Sequence, residues 1–138
     1  MSDHIYETRH EIPAVDDFIR LRDISGLGPR SREAVEKGLP NSLCAVTIYY
    51  NQKAVGMGRL VGDGGCACEV VDVAVDTEHQ GKGLGKRIMA EIMDYISAHI
   101  PESAYVSMIA DIPADSLYEK FGFKSTAPAS IGMYYRVP

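Results

Sequence analysis

The chain has 138 residues, 46% of them hydrophobic and 24% charged, with a formal net charge of −5. That length fits one domain, spanning residues 1–138, and this composition is that of an ordinary globular protein. An acidic balance argues against nucleic acid as the partner, because polyphosphate attracts basic surfaces.

No stretch comes near the ~18 consecutive apolar residues that a membrane helix needs, so no membrane role is expected. The first ten residues, M-S-D-H-I-Y-E-T-R-H, lack the apolar heart of a signal sequence. Cys44, Cys66 and Cys68 form no second pair of the kind a zinc site requires, and C-x-C is too tight for a C-x-x-C redox motif. Reduced thiols in a cytoplasmic protein are the expectation.

In chain order, Ile5 and Tyr6 begin a short first strand. Residues 15–25 alternate apolar and charged positions at helical spacing, and Gly26 can stop that helix. Pro29 and Ser31 introduce a second helical stretch over 32–37, ended by Gly38-Leu39-Pro40. Residues 43–50 and 54–61 read as strands joined by Asn51-Gln52-Lys53, and a glycine-rich turn at 62–65 leads into a third near Ala67. These three strands have the spacing of an antiparallel meander.

The third strand carries Glu69, Val70, Val71, Asp72, Val73 and Val75, and its apolar residues fall on both parities, as in a strand covered on both faces. Polar residues 76–80 end it. Gly81, Lys82, Gly83, Leu84, Gly85, Lys86 and Arg87 follow, and Leu84, Ile88, Ile92 and Ile96 then recur every fourth residue along a helix to about His99. A strand, a glycine turn and a helix N-terminus in that order make an anion site, because the first-turn N–H groups are free and glycine lets a ligand approach. The lysines and Arg87 add positive charge there.

Spacing decides which phosphate ligand suits the turn. A dinucleotide fingerprint G-x-G-x-x-G started at Gly81 places its third glycine at Lys86, and started at Gly83 places it at Ile88. A P-loop needs glycine where Gln80 stands and a hydroxyl where Arg87 stands. The segment Gln80-Gly81-Lys82-Gly83-Leu84-Gly85 instead resembles the Q/R-x-x-G-x-G/A signature of the GNAT superfamily of N-acetyltransferases.

Past Pro101, residues 105–110 read as a buried-type strand, parallel to the strand before the helix because a long crossover separates them. A short helix over 113–121 is capped by Gly122, and residues 131–137 read as a last strand. Leu117-Tyr118-Glu119-Lys120-Phe121-Gly122-Phe123 resembles the L-Y-x-K-x-G-F segment that closes the acetyl-CoA site in GNAT enzymes. The fold expected is a mixed α/β (α+β) GNAT-like sheet of about seven strands with a central splayed parallel pair and about four helices.

The resemblance covers about residues 43–123 and implies acetyl-CoA as co-substrate with no metal. It implies that Gln80, Gly81, Lys82, Gly83, Gly85 and Lys86 hold the pyrophosphate. It also implies that backbone groups of Val73 and Val75 meet the pantetheine arm, a backbone N–H near Val73 serving as oxyanion donor, and that Tyr118 protonates or hydrogen-bonds the CoA sulfur. The amine's base is left open between Glu69, Asp72, and solvent or another group. Simple strand alternation places the two carboxylates on opposite faces, so that only one can serve the cleft.

His79 reads as a surface histidine. Asp23, Asp63 and Asp111 read either as aids to amine binding or as turn and cap residues; Asp111 stands where the family often has asparagine, and Thr77 where it often has proline. The activity implied is acetyl transfer from acetyl-CoA directly to a primary amine of a small molecule, and a homodimer stays open. The rivals are a protein or peptide acetyltransferase and a non-catalytic acyl-CoA-binding module.

Overall fold

The computed structural model describes residues 6–138; the expected start of the first strand at Ile5, and the first half of the N-terminal stretch, lie outside them. The chain forms two compact units, one running to Met108 and the other Ile109–Pro138.

The first unit is built on a five-stranded sheet in the order β1-β2-β3-β4-β5. Its strands are β1 (Tyr6–Arg9), β2 (Cys44–Tyr50), β3 (Lys53–Gly62), β4 (Ala67–Val75) and β5 (Tyr105–Ser107). The first four pair antiparallel in sequence order, and β5 runs parallel to β4. Helix α3 (Leu84–His99) is the crossover that makes the parallel pair possible.

Glycine sets how closely α3 packs. A Cβ on Gly58 would lie 2.6 Å from Ile88 Cγ2 and 3.2 Å from Ile92 Cδ1, so β3 has room for that helix only because position 58 is bare. On the other face, Phe18 and Leu21 of α1 (Val15–Ser25) are buried with Met57 and Ala74 of the sheet. Val35 of α2 (Arg32–Gly38) and Leu39 complete that layer.

The helix ends follow the local sequence. Gly26 closes α1 with φ +85°, a conformation that glycine adopts without the steric cost a Cβ would bring. Ser31 caps α2 by accepting from the Ala34 N–H at 3.1 Å. No described helix is long and apolar enough to cross a membrane.

The second unit carries α4 (Asp115–Glu119), one turn on which Tyr118 is buried. Here the observed elements are shorter than the sequence pattern implies. The expected strand over 105–110 is confined to Tyr105–Ser107, and residues 131–137 form no strand. Ile131, Met133, Tyr134, Tyr135 and Val137 are 74–86% exposed. Strand propensity is realised only through a paired neighbour and a buried face, and these residues have neither. Five strands and four α-helices therefore make up the mixed fold of the described residues.

Candidate active site

Strand β4 changes character half-way along. Its pairing with β5 covers only Ala67, Cys68 and Glu69, so from Val70 onward no strand lies along its outer edge among the described residues. The parallel pairing thus ends at Glu69, opposite Ser107.

Beyond β4 the chain turns through Asp76. This carboxylate is buried, accepts from the Glu78 N–H at 3.0 Å, and meets Arg20 of α1 at 3.3 Å. The turn is thereby anchored before the glycines begin. Gly81 and Gly83 both take φ +78°, and Gly83 starts α3 with no side-chain cap. Among the described residues, the backbone N–H groups of residues 81–86 make no hydrogen bond to the chain; the first closed turn is Arg87 N–H to the Gly83 carbonyl at 3.1 Å.

A file of free donors at the positive end of a sixteen-residue helix is the arrangement that holds a phosphate. Lys82 and Lys86 are exposed beside it, and Gln80 folds back to donate from Nε2 to the Val75 carbonyl at 3.2 Å. A Cβ on Gly81 or Gly83 would meet nothing within 4 Å, so the space over the amides is open. These residues fit the pyrophosphate of acetyl-CoA.

The two strand carboxylates do not divide between the faces as alternation implies. Met57 pairs with Ala74, Arg59 with Val71 and Val61 with Glu69, and cross-strand partners share a face. Glu69, Val71 and Ala74 therefore all face α1. The step from 71 to 74 is one residue too long for a regular ladder, and the surplus is a β-bulge that sets Asp72 and Val73 against Gly58. Asp72 takes φ +59°, in the left-handed region, and its side chain is 8% exposed.

Its carboxylate is gripped by Arg22 of α1 through Oδ1 and by Arg59 Nε through Oδ2 at 2.8 Å. Glu69 and Asp72 thus lie on the same face, because the bulge restores the phase that their odd spacing would lose. Their surroundings differ. Glu69 is half-buried and makes no side-chain hydrogen bond or ion pair among the described residues, whereas both oxygens of Asp72 are engaged.

Arg22 and Arg59 are site residues that the sequence reading did not single out, although a signal existed. Arg22 stands at i+4 from Phe18 and beside Leu21, on the apolar face of α1, and Arg59 has the parity of buried Met57. An arginine on a core face calls for a buried carboxylate.

His79 is another correction. Its Nδ1 lies 2.7 Å from the Tyr6 hydroxyl and its ring packs 4.8 Å from Tyr50, so it ties the turn to β1 and β2 rather than standing free on the surface. Asp63 is a turn residue: its Oδ1 accepts from the N–H groups of Gly65, Cys66 and Ala67, and the Gly65 hydrogen bond leads in holding its pKa below the ordinary value. In the second unit, burial raises the Tyr118 phenol above its ordinary pKa, with the nearby Asp111 charge adding to the effect. No group of three or more His, Cys, Asp or Glu that could hold a metal occurs among the described residues.

The sequence model of the family described as "Acetyltransferase (GNAT) domain" matches residues 41–125. The chain belongs to the GNAT acetyltransferase family. A solved structure from methicillin-resistant Staphylococcus aureus, a protein of unknown function called a probable acetyltransferase, is 48% identical with a TM-score of 0.92. It aligns over 96% of this chain and 99% of its own.

An uncharacterised N-acetyltransferase of Schizosaccharomyces pombe is 37% identical over 73% of this chain and 60% of its own length. The ycf52 N-acetyltransferase of Gracilaria tenuistipitata, also uncharacterised, is 24% identical over 96% of this chain and 74% of its own. Acetyl-CoA is the co-substrate that a GNAT fold implies.

Proposed function

We propose that this GNAT protein moves the acetyl group of acetyl-CoA directly to a primary amine of a small molecule, with both units serving one catalytic domain. The family match running from residue 41 to 125 across Met108 supports the single domain. The observation that carries the reading is the pairing of two features on one strand–loop–helix unit. Unpaired N–H groups line residues 81–86, and an unpartnered Glu69 stands where β5 leaves β4.

The acceptor must lose a proton, since an alkylamine of pKa ~10.4 is neutral in only about one molecule in a few thousand at pH 7. Glu69, half-buried and without a competing cation, is the group we assign to receive that proton, directly or through water. The resemblance around Lys120, Gly122 and Phe123 assigns Tyr118 to the leaving thiolate, and a phenol whose pKa is raised by burial stays protonated for that task. Val73 and Val75 contribute backbone groups along the open edge, and Gln80, Gly81, Lys82, Gly83, Gly85 and Lys86 the phosphate contacts.

A compact acceptor suits the α1–α2 turn, which Arg22 ties to β4 through the Leu27 and Gly28 carbonyls at 2.9 and 3.0 Å. The test is CoA thiol release from acetyl-CoA across a panel of small amines and lysine peptides. Release with small amines supports the reading; release with peptides alone redirects it to a protein acceptor. Saturable acetyl-CoA binding with no amine-dependent release would leave a binding module.

A further inference from the structure

A buried ion cluster on a bulge is a costly way to finish a strand. Desolvating three charges offsets much of their mutual attraction, and apolar residues of similar size often do as well for stability. Here the Asp72, Arg22 and Arg59 side chains are only 8%, 5% and 14% exposed. Asp72 also sits at φ +59°, a conformation that Asp and Asn tolerate better than most residues.

Each arginine does more than neutralise the carboxylate. Arg22 places Nε on the Gly28 carbonyl at 3.0 Å and Nη2 on the Leu27 carbonyl at 2.9 Å, so one guanidinium spans Asp72 and the α1–α2 turn. Arg59 reaches Ser42 Oγ from Nη1 at 3.0 Å, and its guanidinium lies over the Phe18 ring at 5.7 Å. Five parts of the first unit therefore meet at one carboxylate: β3, the bulge of β4, α1, the turn after α1 and the connection before β2.

We propose that Asp72 is a positioning residue: gripped by Arg22 and Arg59, it holds the β4 bulge that aims the backbone at Val73, and it fastens the α1–α2 turn to that bulge. The inference rests on the proposed transfer, in which Val73 offers its N–H to the acyl oxygen. A bulge re-aims the strand that carries it, and this one stands where β4 has lost its β5 neighbour, three residues beyond Glu69. Oxyanion donors act by being held in place beforehand, so a loosened bulge costs rate more than cofactor affinity.

Two variants and one activity-independent readout test this. Asp72→Asn keeps size and tolerance of the left-handed conformation but removes the charge. It should lower kcat by on the order of 100-fold while leaving the acetyl-CoA Kd within about threefold. In unliganded protein, amide hydrogen exchange should quicken at positions 72 and 74, which flank the Val73 donor, but not at Val46 and Ile48 of β2. Arg22→Lys keeps the cation and loses the fork to Leu27 and Gly28; it should raise the amine KM by roughly 10-fold with a smaller change in kcat.

Wild-type kcat in folded Asp72→Asn, or exchange quickened equally in β2 and at the bulge, would reduce the cluster to a stabilising element and overturn the proposal. An unchanged amine KM in Arg22→Lys would overturn the fastening of the turn. If Asp72→Asn does not fold, Arg22→Lys carries the test: its amine KM should rise and its exchange should quicken at the bulge but not in β2. If the wild-type protein releases no thiol with any amine, the transfer reading fails, and a local exchange change still separates a held bulge from a merely stabilised fold.

Discussion

The loop at residues 76–86 and the bulge at Asp72 and Val73 belong to one strand–loop–helix unit, yet they hold their shapes by different means. In the loop the groups on offer are unpaired backbone N–H donors, the shape depends on glycines, and the nearby cations are exposed. In the bulge the shape depends on buried side-chain charge: one carboxylate between two guanidiniums drawn from α1 and β3. A grip for a phosphate needs open approach, whereas a donor that must meet one oxygen needs rigidity. The difference also bears on mutation, because the loop should fail through affinity and the bulge through rate.

An effect as large as that of Asp72→Asn is expected outside both regions. Tyr118→Phe should lower kcat by on the order of 100-fold with acetyl-CoA affinity retained, which isolates the chemistry from grip and positioning. Burial raises the Tyr118 pKa above its ordinary 10.0, so the protonated donor persists to higher pH and any falling alkaline limb that depends on it should lie above that value. Steady-state rates alongside thermal melts check this; full kcat with reduced stability would make Tyr118 a packing residue.

Gly58→Ala probes the packing behind the bulge, since its new Cβ would press on Ile88 of α3 at 2.6 Å. A stability loss of about 1–3 kcal/mol in urea unfolding is expected. A neutral result would show that α3 can shift away from the strand without cost. Gly83→Val addresses the grip. Its φ of +78° suits a β-branched residue poorly, and the side chain would fill the open space beside the amides. CoA affinity should fall by about 10-fold or more, that is by ~1.4 kcal/mol or more, in calorimetry with the fold intact. Unchanged affinity would move the phosphate elsewhere.

The smallest effect is a change of shape. Glu69→Gln should flatten the rising limb of the kcat/KM pH profile for an amine acceptor, because the proton acceptor is gone. A retained limb would assign the proton to a water chain and leave Glu69 a bystander on the same face as Asp72.

The same contrast explains how much was legible in the sequence. A glycine turn leaves a trace in residue type, because Gly81 and Gly83 occupy left-handed positions, so the turn into α3 could be read from the sequence. The bulge leaves almost none. The run Val70 to Val75 looks like an unbroken strand, and simple alternation sent Glu69 and Asp72 to opposite faces. The extra residue is visible only in the register with β3, and the charge at Asp72 is explained only once Arg22 and Arg59 arrive from distant parts of the chain. The apolar pattern at 131–137 misled for the reverse reason, because strand propensity describes fitness for a sheet and cannot supply the neighbouring strand.

The most direct measurement is a titration of isotope-labelled protein with acetyl-CoA, following each backbone amide resonance. Recognition through the loop requires saturable shifts at residues 81–86, accompanied by shifts at Val73 and Val75 along the open edge of β4. Saturable binding that leaves those amides unmoved, or no binding at all, would contradict it.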